Sequence, residues 1–346
     1  MEPIELRSDN AAGAAAEILA ALAAANTGSA LAYGDDPWTA QLAETVRDVF
    51  EHRDATVFPV ISGTAANSLA LSAMCPPWGA VLCHETAHIL QSECGATSMF
   101  GAGVQMRGLP GAGHLVSPAA LEAAFAATRW GDNHHAQPTV LSLTVPTDYG
   151  TVYTPEQIEA LARLARSRSM RVHLDGARLA NAIVALGCTP ADITWRAGVD
   201  VFSLGAMKNG SVSTDAIVCF DPQVAAELHY RVKRAGHVAS KMRFQSAQLQ
   251  AYLHDDLWLH LAGAANAAMA RLAEGLVHLG VMLVDPPAAN MAFVRVDDAV
   301  IDTLERAGLL FYRMGPGLIR FVTSFQTTLA DVDRVLACVR AALGSA

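Results

Sequence analysis

Lysine is rare in this chain. Of 24 basic side chains only Lys208, Lys233 and Lys241 carry an amine, so chemistry that needs one has three candidates. Lys208 stands in Ser203-Leu204-Gly205-Ala206-Met207-Lys208-Asn209-Gly210, just past an apolar run. A lysine removed from water and placed beside another cation loses proton affinity and becomes a usable nucleophile. The plain alternative, a solvated surface lysine, is weakened by the apolar flanks. In His173-Leu174-Asp175-Gly176-Ala177-Arg178 an apolar run ends in an acid, then a small-residue turn and an arginine. Such an Asp can keep a heteroaromatic nitrogen protonated, and the guanidinium can grip a carboxylate through two parallel hydrogen bonds. A purely structural Asp–Arg pair reads the same way. Ser62-Gly63-Thr64-Ala65-Ala66-Asn67 offers hydroxyls, a close-approach glycine and free amides where a helix begins, the makings of an anion cradle. An ordinary Ser/Thr cap is the alternative there. Finally, His84-Glu85-Thr86-Ala87-His88 spells H-E-x-x-H, a zinc pattern with the glutamate as general base. Zinc also needs a third protein ligand, and Glu122 lies far enough downstream to supply one. Yet the zinc version lies inside a helix, whereas here Pro76-Pro77-Trp78-Gly79 and four strand-like residues lead straight into the motif.

These groups need elements to position them. Short β-rich runs at 56–61, 80–83, 139–145, 171–175, 200–204 and 216–220 alternate with Ala/Leu-rich helical patterns. Thr154-Pro155-Glu156-Gln157 combines an N-cap, a proline at the first helical position and a capping-box glutamine. Ser117-Pro118 and Thr189-Pro190 repeat the cap-then-proline signal. Alternating strands and helices predict an α/β fold built on a mainly parallel sheet, with sites at the carboxyl ends of the strands. A helical run over 241–280 precedes Pro286-Pro287. Strand-like 291–296, helix 298–307, strands near 309–312 and 318–323 and an amphipathic helix 328–343 then read as a small C-terminal α/β domain. We divide the chain into an N-terminal segment 1–25, a large domain 26–250 and a small domain 251–346. At 346 residues, 52% hydrophobic, the chain can bury a large core. A net charge of −9 without a basic run argues against nucleic acid. The start, MEPIELRSDN, has no leader pattern, no apolar run reaches bilayer length, and six scattered cysteines without a CxxC pair suggest reduced thiols and a cytoplasmic protein.

Anion cradle, strand-end Asp and strand-end Lys, in that order, are the parts that hold pyridoxal 5′-phosphate (PLP). The cradle takes the phosphate, Asp175 the pyridine nitrogen, and the Lys208 amine condenses with the aldehyde. At this point the chain resembles the low-specificity L-threonine aldolases. The likeness is carried by YGDDPWTA, SGTAANSLAL, ETAHILQSECGA, HLDGARLANA, AGVDVFSLGAMKNG and ASKMRF, and runs from Ser8 to Arg320. It implies a fold-type-I PLP-dependent enzyme with a mixed, mainly parallel sheet flanked by helices. It further implies that Ser62, Gly63 and Thr64 bind phosphate and that His88 stacks on the pyridine ring. Ser8, Arg178 and Arg320 hold the substrate carboxylate. Tyr33 and the basic segment ending at Arg243 come from a neighbouring subunit of a homo-oligomer, a tetramer rather than a dimer. His88 and His134 are its candidate bases.

The reaction implied is cleavage of a β-hydroxy-α-amino acid to glycine and an aldehyde. Another PLP lyase, β-eliminating or phenylserine-preferring, is the alternative, and a zinc hydrolase on HETAH the remote one. The chain departs from the family pattern in two places. Thr147-Asp148-Tyr149 stands where many members carry a histidine, and Met207 precedes the lysine where a hydroxyl residue is common. The metal alternative separates cleanly: a chelator abolishes activity under the zinc reading and leaves it intact under the PLP reading.

Overall fold

The computed structural model describes residues 3–344. Seven strands, β1 (Thr56–Val60), β2 (Gly79–His84), β3 (Gln105–Leu109), β4 (Gln137–Thr144), β5 (Arg171–Gly176), β6 (Val201–Leu204) and β7 (Asp215–Cys219), form one sheet. Their order is β1-β7-β6-β5-β4-β2-β3. Every neighbouring pair is parallel except those made by β7, which runs antiparallel to β1 and β6. All residues of β2, β6 and β7 are buried, the pattern of strands covered on both faces. Helices supply the cover, and their apolar side chains make one core on each face.

This topology brings distant segments to one edge. The parallel strands end together, so the residues after β1, β2, β4, β5 and β6 meet there. Because β7 runs the other way, its first residue, Asp215, reaches the same edge.

A second sheet holds β8 (Met282–Leu283), β9 (Met291–Arg295), β10 (Tyr312–Gly315) and β11 (Leu318–Val322), in the order β10-β11-β9-β8 and antiparallel throughout. Helices Asp298–Arg306 and Leu329–Leu343 pack against it. Helix Leu257–His278 joins the two cores: Trp258 and Ala262 enter the large one, Ala268 to Leu276 the small one. The first residues return to the small sheet's side, where Ile4–Glu5 pair in parallel with Leu309–Leu310 and Leu6 is buried.

The six anticipated strands of the large sheet are present, and Thr154 and Gln157 exchange both capping-box bonds. Three features differ. The edge strand β3 was not anticipated; Gly108 and Arg107 hide it, and it pairs on one side only. The run 241–280 is two helices, Arg243–Leu253 and Leu257–His278, separated by Asp255 and Asp256 at φ 48° and 56°. Thr189-Pro190 starts no α-helix: Thr189 and Asp192 cap each other's amides in a closed turn. No helix among the described residues is long and apolar enough to cross a membrane.

Two glycines test how the strand ends pack. A Cβ on Gly205 would lie 2.2 Å from the Ala177 carbonyl oxygen, a backbone atom that cannot step aside. A Cβ on Gly263, inside a helix, meets nothing closer than a Val184 methyl at 3.9 Å. Urea unfolding should show Gly205→Ala destabilised by about 1–3 kcal/mol or more. Gly263→Ala should be stabilised by roughly 0.4–1 kcal/mol.

Candidate active site

A cleft at the carboxyl edge is lined by Ser62, Gly63, Thr64, Asn67, His88, Asp148, Asp175, Arg178, Lys208 and Asp215. Ser62, extended at φ −161°, caps helix Gly63–Met74 by accepting the Ala65 amide at 3.2 Å. The Gly63 and Thr64 amides belong to the first helical turn, where no intrahelical acceptor exists, and they are left for an anion. Ser62 contributes the cap and a wall of the cleft.

Asp175, next to last in β5, is a buried acid held by three donors. Its Oδ1 accepts the Ala177 amide (3.1 Å) and the Ser203 hydroxyl (3.3 Å), and Oδ2 accepts Asn67 Nδ2 (3.1 Å). His173, two residues earlier, is buried and linked to the Ser142 hydroxyl, and burial pushes it down to about 4, so it is neutral.

Lys208 sits in a short 3-10 turn, Met207–Asn209. Asp215 Oδ1 accepts the Ala206 and Met207 amides at 2.7 and 2.9 Å, and Asn209 donates to the Tyr252 hydroxyl and the Trp258 carbonyl. The turn is thus anchored on both sides of the lysine. Burial lowers the proton affinity of the Lys208 amine, and Arg178 adds to the effect against Asp9, Asp175 and Asp148. This is the environment that frees an amine for nucleophilic attack.

Arg178 is not the open carboxylate clamp that the sequence suggested. Its Nε and Nη2 form a two-pronged pair with Asp9 at 2.6 and 2.9 Å, and only 10% of the side chain is exposed. Asp9 also accepts Asn290 Nδ2 at 3.0 Å. Arg320, on β11, makes no ion pair among the described residues. Its Nη2 donates to the Arg7 carbonyl, while its buried Nε finds no hydrogen-bond partner among the described residues. Ser8 lies alongside, its hydroxyl 3.5 Å from Asp9 Oδ1.

His88 begins a short helix, and its amide donates to Asp148 Oδ2 at 2.9 Å. Its Nδ1 lies 3.0 Å from Oε1 of Glu93, which also accepts Asn67 Nδ2 at 2.9 Å. Burial holds the Asp148 and Asp215 carboxyls above the usual range.

Three expected site residues are not brought here by their own chain. His134 is exposed in the loop before β4, at the opposite edge of the sheet, which removes it as a base within a single chain. Tyr33 is 57% exposed, its ring under the Lys233 amine. Arg243 reaches the Gly28 carbonyl and packs on Trp38 and Phe244. The zinc geometry fails too. His84 closes a strand and bonds Thr86 and the Gly111 carbonyl, Ala87 is non-helical, and His88 opens a separate helix, so the two imidazoles share no helix face. Among the described residues no group of three or more His, Cys, Asp or Glu is placed to hold a metal. Sequence reasoning missed Asp9, Glu93 and Asp215. Asp9 lies in the opening MEPIELRSDN and Glu93 inside the motif ETAHILQSECGA; Asp215 carries no local signal.

The cradle, the Asp175 acceptor and the half-buried Lys208 fit pyridoxal 5′-phosphate, and together with the seven-stranded sheet they define a fold-type-I PLP-dependent enzyme. Comparison with known proteins agrees. Residues 5–299 match the family described as beta-eliminating lyase. A low-specificity L-threonine aldolase of Pseudomonas sp. (strain NCIMB 10558) is 39% identical over 343 residues, covering 99% of this chain and 98% of that protein. The threonine aldolase of Leishmania major superposes with a TM-score of 0.91 at 26% identity, covering 97% and 98% of the two chains. Aspartate aminotransferase of Thermotoga maritima shares the fold, with a TM-score of 0.73 at 16% identity and 99% and 92% coverage. The chain belongs to the beta-eliminating lyase family, on its threonine aldolase branch.

The Asp9–Arg178 pair gives a pH prediction. Burial alone would raise the Asp9 carboxyl, but the Arg178 charge and hydrogen bonds outweigh it, and Asp9 titrates below the usual range. A depressed folded pKa stabilises the protein above the unfolded value, near about 4, and that contribution is lost as pH falls through the folded value. The stability read from urea unfolding should therefore fall as pH drops below about 4. Asp9→Asn, which leaves Arg178 buried without its counter-charge, should cost about 3–5 kcal/mol at neutral pH and flatten the acid dependence.

Proposed function

We propose that this chain is a PLP-dependent aldolase that reversibly cleaves L-threonine, L-allo-threonine and related β-hydroxy-α-amino acids to glycine and an aldehyde. The observation that carries this reading is Lys208, the one lysine of the chain that is not exposed, set beside Arg178 and among three carboxylates at the edge where the strand of Asp175 ends. The kinship with threonine aldolases points that chemistry at the Cα–Cβ bond. In this reading Gly63 and Thr64 hold the phosphate and Asp175 faces the pyridine nitrogen. When bound, the cofactor supplies the sink for the electron pair that the broken bond leaves on Cα. The Arg320 guanidinium, which makes no ion pair among the described residues, receives the substrate carboxylate, with Ser8 and the remaining Arg178 nitrogen beside it. That grip fixes the rotation about Cα, which decides which bond breaks. His88, with an exposed ring edge in the cleft, takes the hydroxyl proton.

The enzyme works as a homo-oligomer, a tetramer, in the cytoplasm. Tyr33, exposed and held at φ 62°, and Arg243 serve a neighbour's cleft. His134 reaches a substrate only in that way. The family description favours a second reading, β-elimination. Products separate the two: glycine with an aldehyde, or ammonia with a keto acid.

Two variants check the assignment. Lys208→Ala should lower kcat on L-threonine by at least roughly 10²-fold. Borohydride should fix the cofactor to the unaltered chain and leave Lys208→Ala unlabelled. Arg320→Lys keeps the charge and loses the fork; KM should rise about 10-fold or more, the loss expected for one charged hydrogen bond. Full turnover of L-threonine by Lys208→Ala would overturn the reading.

A further inference from the structure

We infer that Glu93 is the positioning residue that makes His88 a base: it holds a proton on Nδ1, leaves Nε2 open to the substrate's β-hydroxyl, and receives the Nδ1 proton as Nε2 is protonated. This inference rests on the aldolase reading and extends it to a residue outside the motif roles.

The geometry orients the pair. The Glu93 side chain is fully buried, whereas 37% of the His88 side chain is exposed. The 3.0 Å contact between Nδ1 and Oε1 therefore points inward, and Nε2 is the nitrogen left for the cleft. The His88 amide is tied to Asp148 Oδ2 at the other end of the residue. Glu93 itself is clamped. Its Oε1 accepts Asn67 Nδ2, which also donates to Asp175 Oδ2, so one amide separates and bridges two carboxylates. Asp148 is the competing acceptor in the cleft, but its Oδ2 already takes the His88 amide.

Glu93 is also built to take a proton. Its Oε2 is buried and has no hydrogen-bond partner among the described residues. A carboxylate with a bare buried oxygen is costly, and protonation relieves that cost. The groups that face the pair are Asp148, from the loop after β4, and Asp175, from β5. The Glu93 hydrogen bond raises His88 above the ordinary imidazole range, with burial opposing and both aspartates assisting. Burial raises Glu93 above the ordinary carboxylate range. Both shifts favour a proton held within the pair.

The step balances. The β-hydroxyl O–H bond breaks and its proton joins Nε2. The Nδ1 proton passes to Glu93 Oε1. The oxygen pair closes the new C=O bond, and the Cα–Cβ pair remains on Cα. A neutral imidazole and a carboxylate become a neutral imidazole and a carboxylic acid, so no extra charge appears in the cleft.

The test uses the cofactor-loaded protein with Glu93→Gln, which keeps an acceptor for Nδ1–H and cannot take the proton. Its kcat on L-threonine should fall at least roughly 10²-fold with KM and unfolding midpoint little changed. The acid limb of kcat/KM should move to lower pH, because the carboxylate that raises His88 is gone. The proton inventory in mixed H₂O/D₂O should change from curved to linear. Independently of activity, ¹⁵N NMR of the unaltered protein should show His88 protonated at Nδ1 above its pKa. An Nε2–H tautomer there, or a variant with unchanged kcat and acid limb, overturns the inference. If Glu93→Gln fails to fold, Glu93→Asp and the NMR tautomer decide the matter. Failure of the unaltered enzyme to release glycine would instead defeat the aldolase reading, and the tautomer measurement would still stand.

Discussion

The buried ion pair between Asp9 and Arg178 is the contact on which the site depends. Two charges taken out of water lose several kcal/mol of hydration each, and their attraction makes this up only when the geometry is two-pronged and the spare lone pairs find donors. Both conditions hold: the pair is bidentate, and Asn290 donates to Asp9. The three residues come from the N-terminal segment, the end of β5 and the loop before β9. One interaction thus closes the first residues and the small sheet over the edge of the large one. Leu6 and Ile4 follow the same path and are buried against the small sheet.

That pair also sets the electrostatics around Lys208. Burial depresses the amine, Arg178 adds to the effect, and Asp9 opposes it. Because Arg178 is held by Asp9, the proposed carboxylate role rests mainly on Arg320, which makes no ion pair among the described residues and whose buried Nε has no hydrogen-bond partner among them. Five acids, Asp9, Asp148, Asp175, Asp215 and Glu93, crowd this edge, and each is satisfied differently. Asp9 has a guanidinium. Asp215 has two backbone amides that hold the lysine's turn. Asp148 has one amide, and Glu93 an imidazole and an amide. Where a full counter-charge is in contact, the carboxyl titrates low; for Asp148, Asp215 and Glu93 burial wins.

Much of this was legible in the sequence because it is local. A strand buried on both faces must be an apolar run, and the residue after it must lie at the sheet edge, so Asp175, Lys208 and Ser62 could be placed together from spacing alone. What stayed hidden depends on pairing across the chain. No spacing rule joins Asp9 to Arg178, 169 residues away, or Asn67 to Asp175, 108 away. Arg178 was therefore read as free when it is taken. Asp215 reaches the site only because β7 is antiparallel, and antiparallel direction leaves no mark in a five-residue apolar strand. The break at 254–256 was hidden for the opposite reason: the flanking composition is so helical that two aspartates in left-handed conformation read as ordinary helix residues.

HETAH shows why a pattern needs its element. An i, i+4 pair of imidazoles converges only if all five residues share one helical turn. Here His84 is locked into β2 by parallel neighbours on both sides of that strand, with Cα partner Leu109 in β3. Its ring is directed to the Gly111 carbonyl. The chain then turns through Ala87, and His88 starts afresh with its ring against Glu93. The same five letters therefore send one histidine into loop scaffolding and the other into the cleft. The strand that separates them is itself demanded by the uninterrupted apolar run before the motif, and continuity with that strand outranks the match to the string.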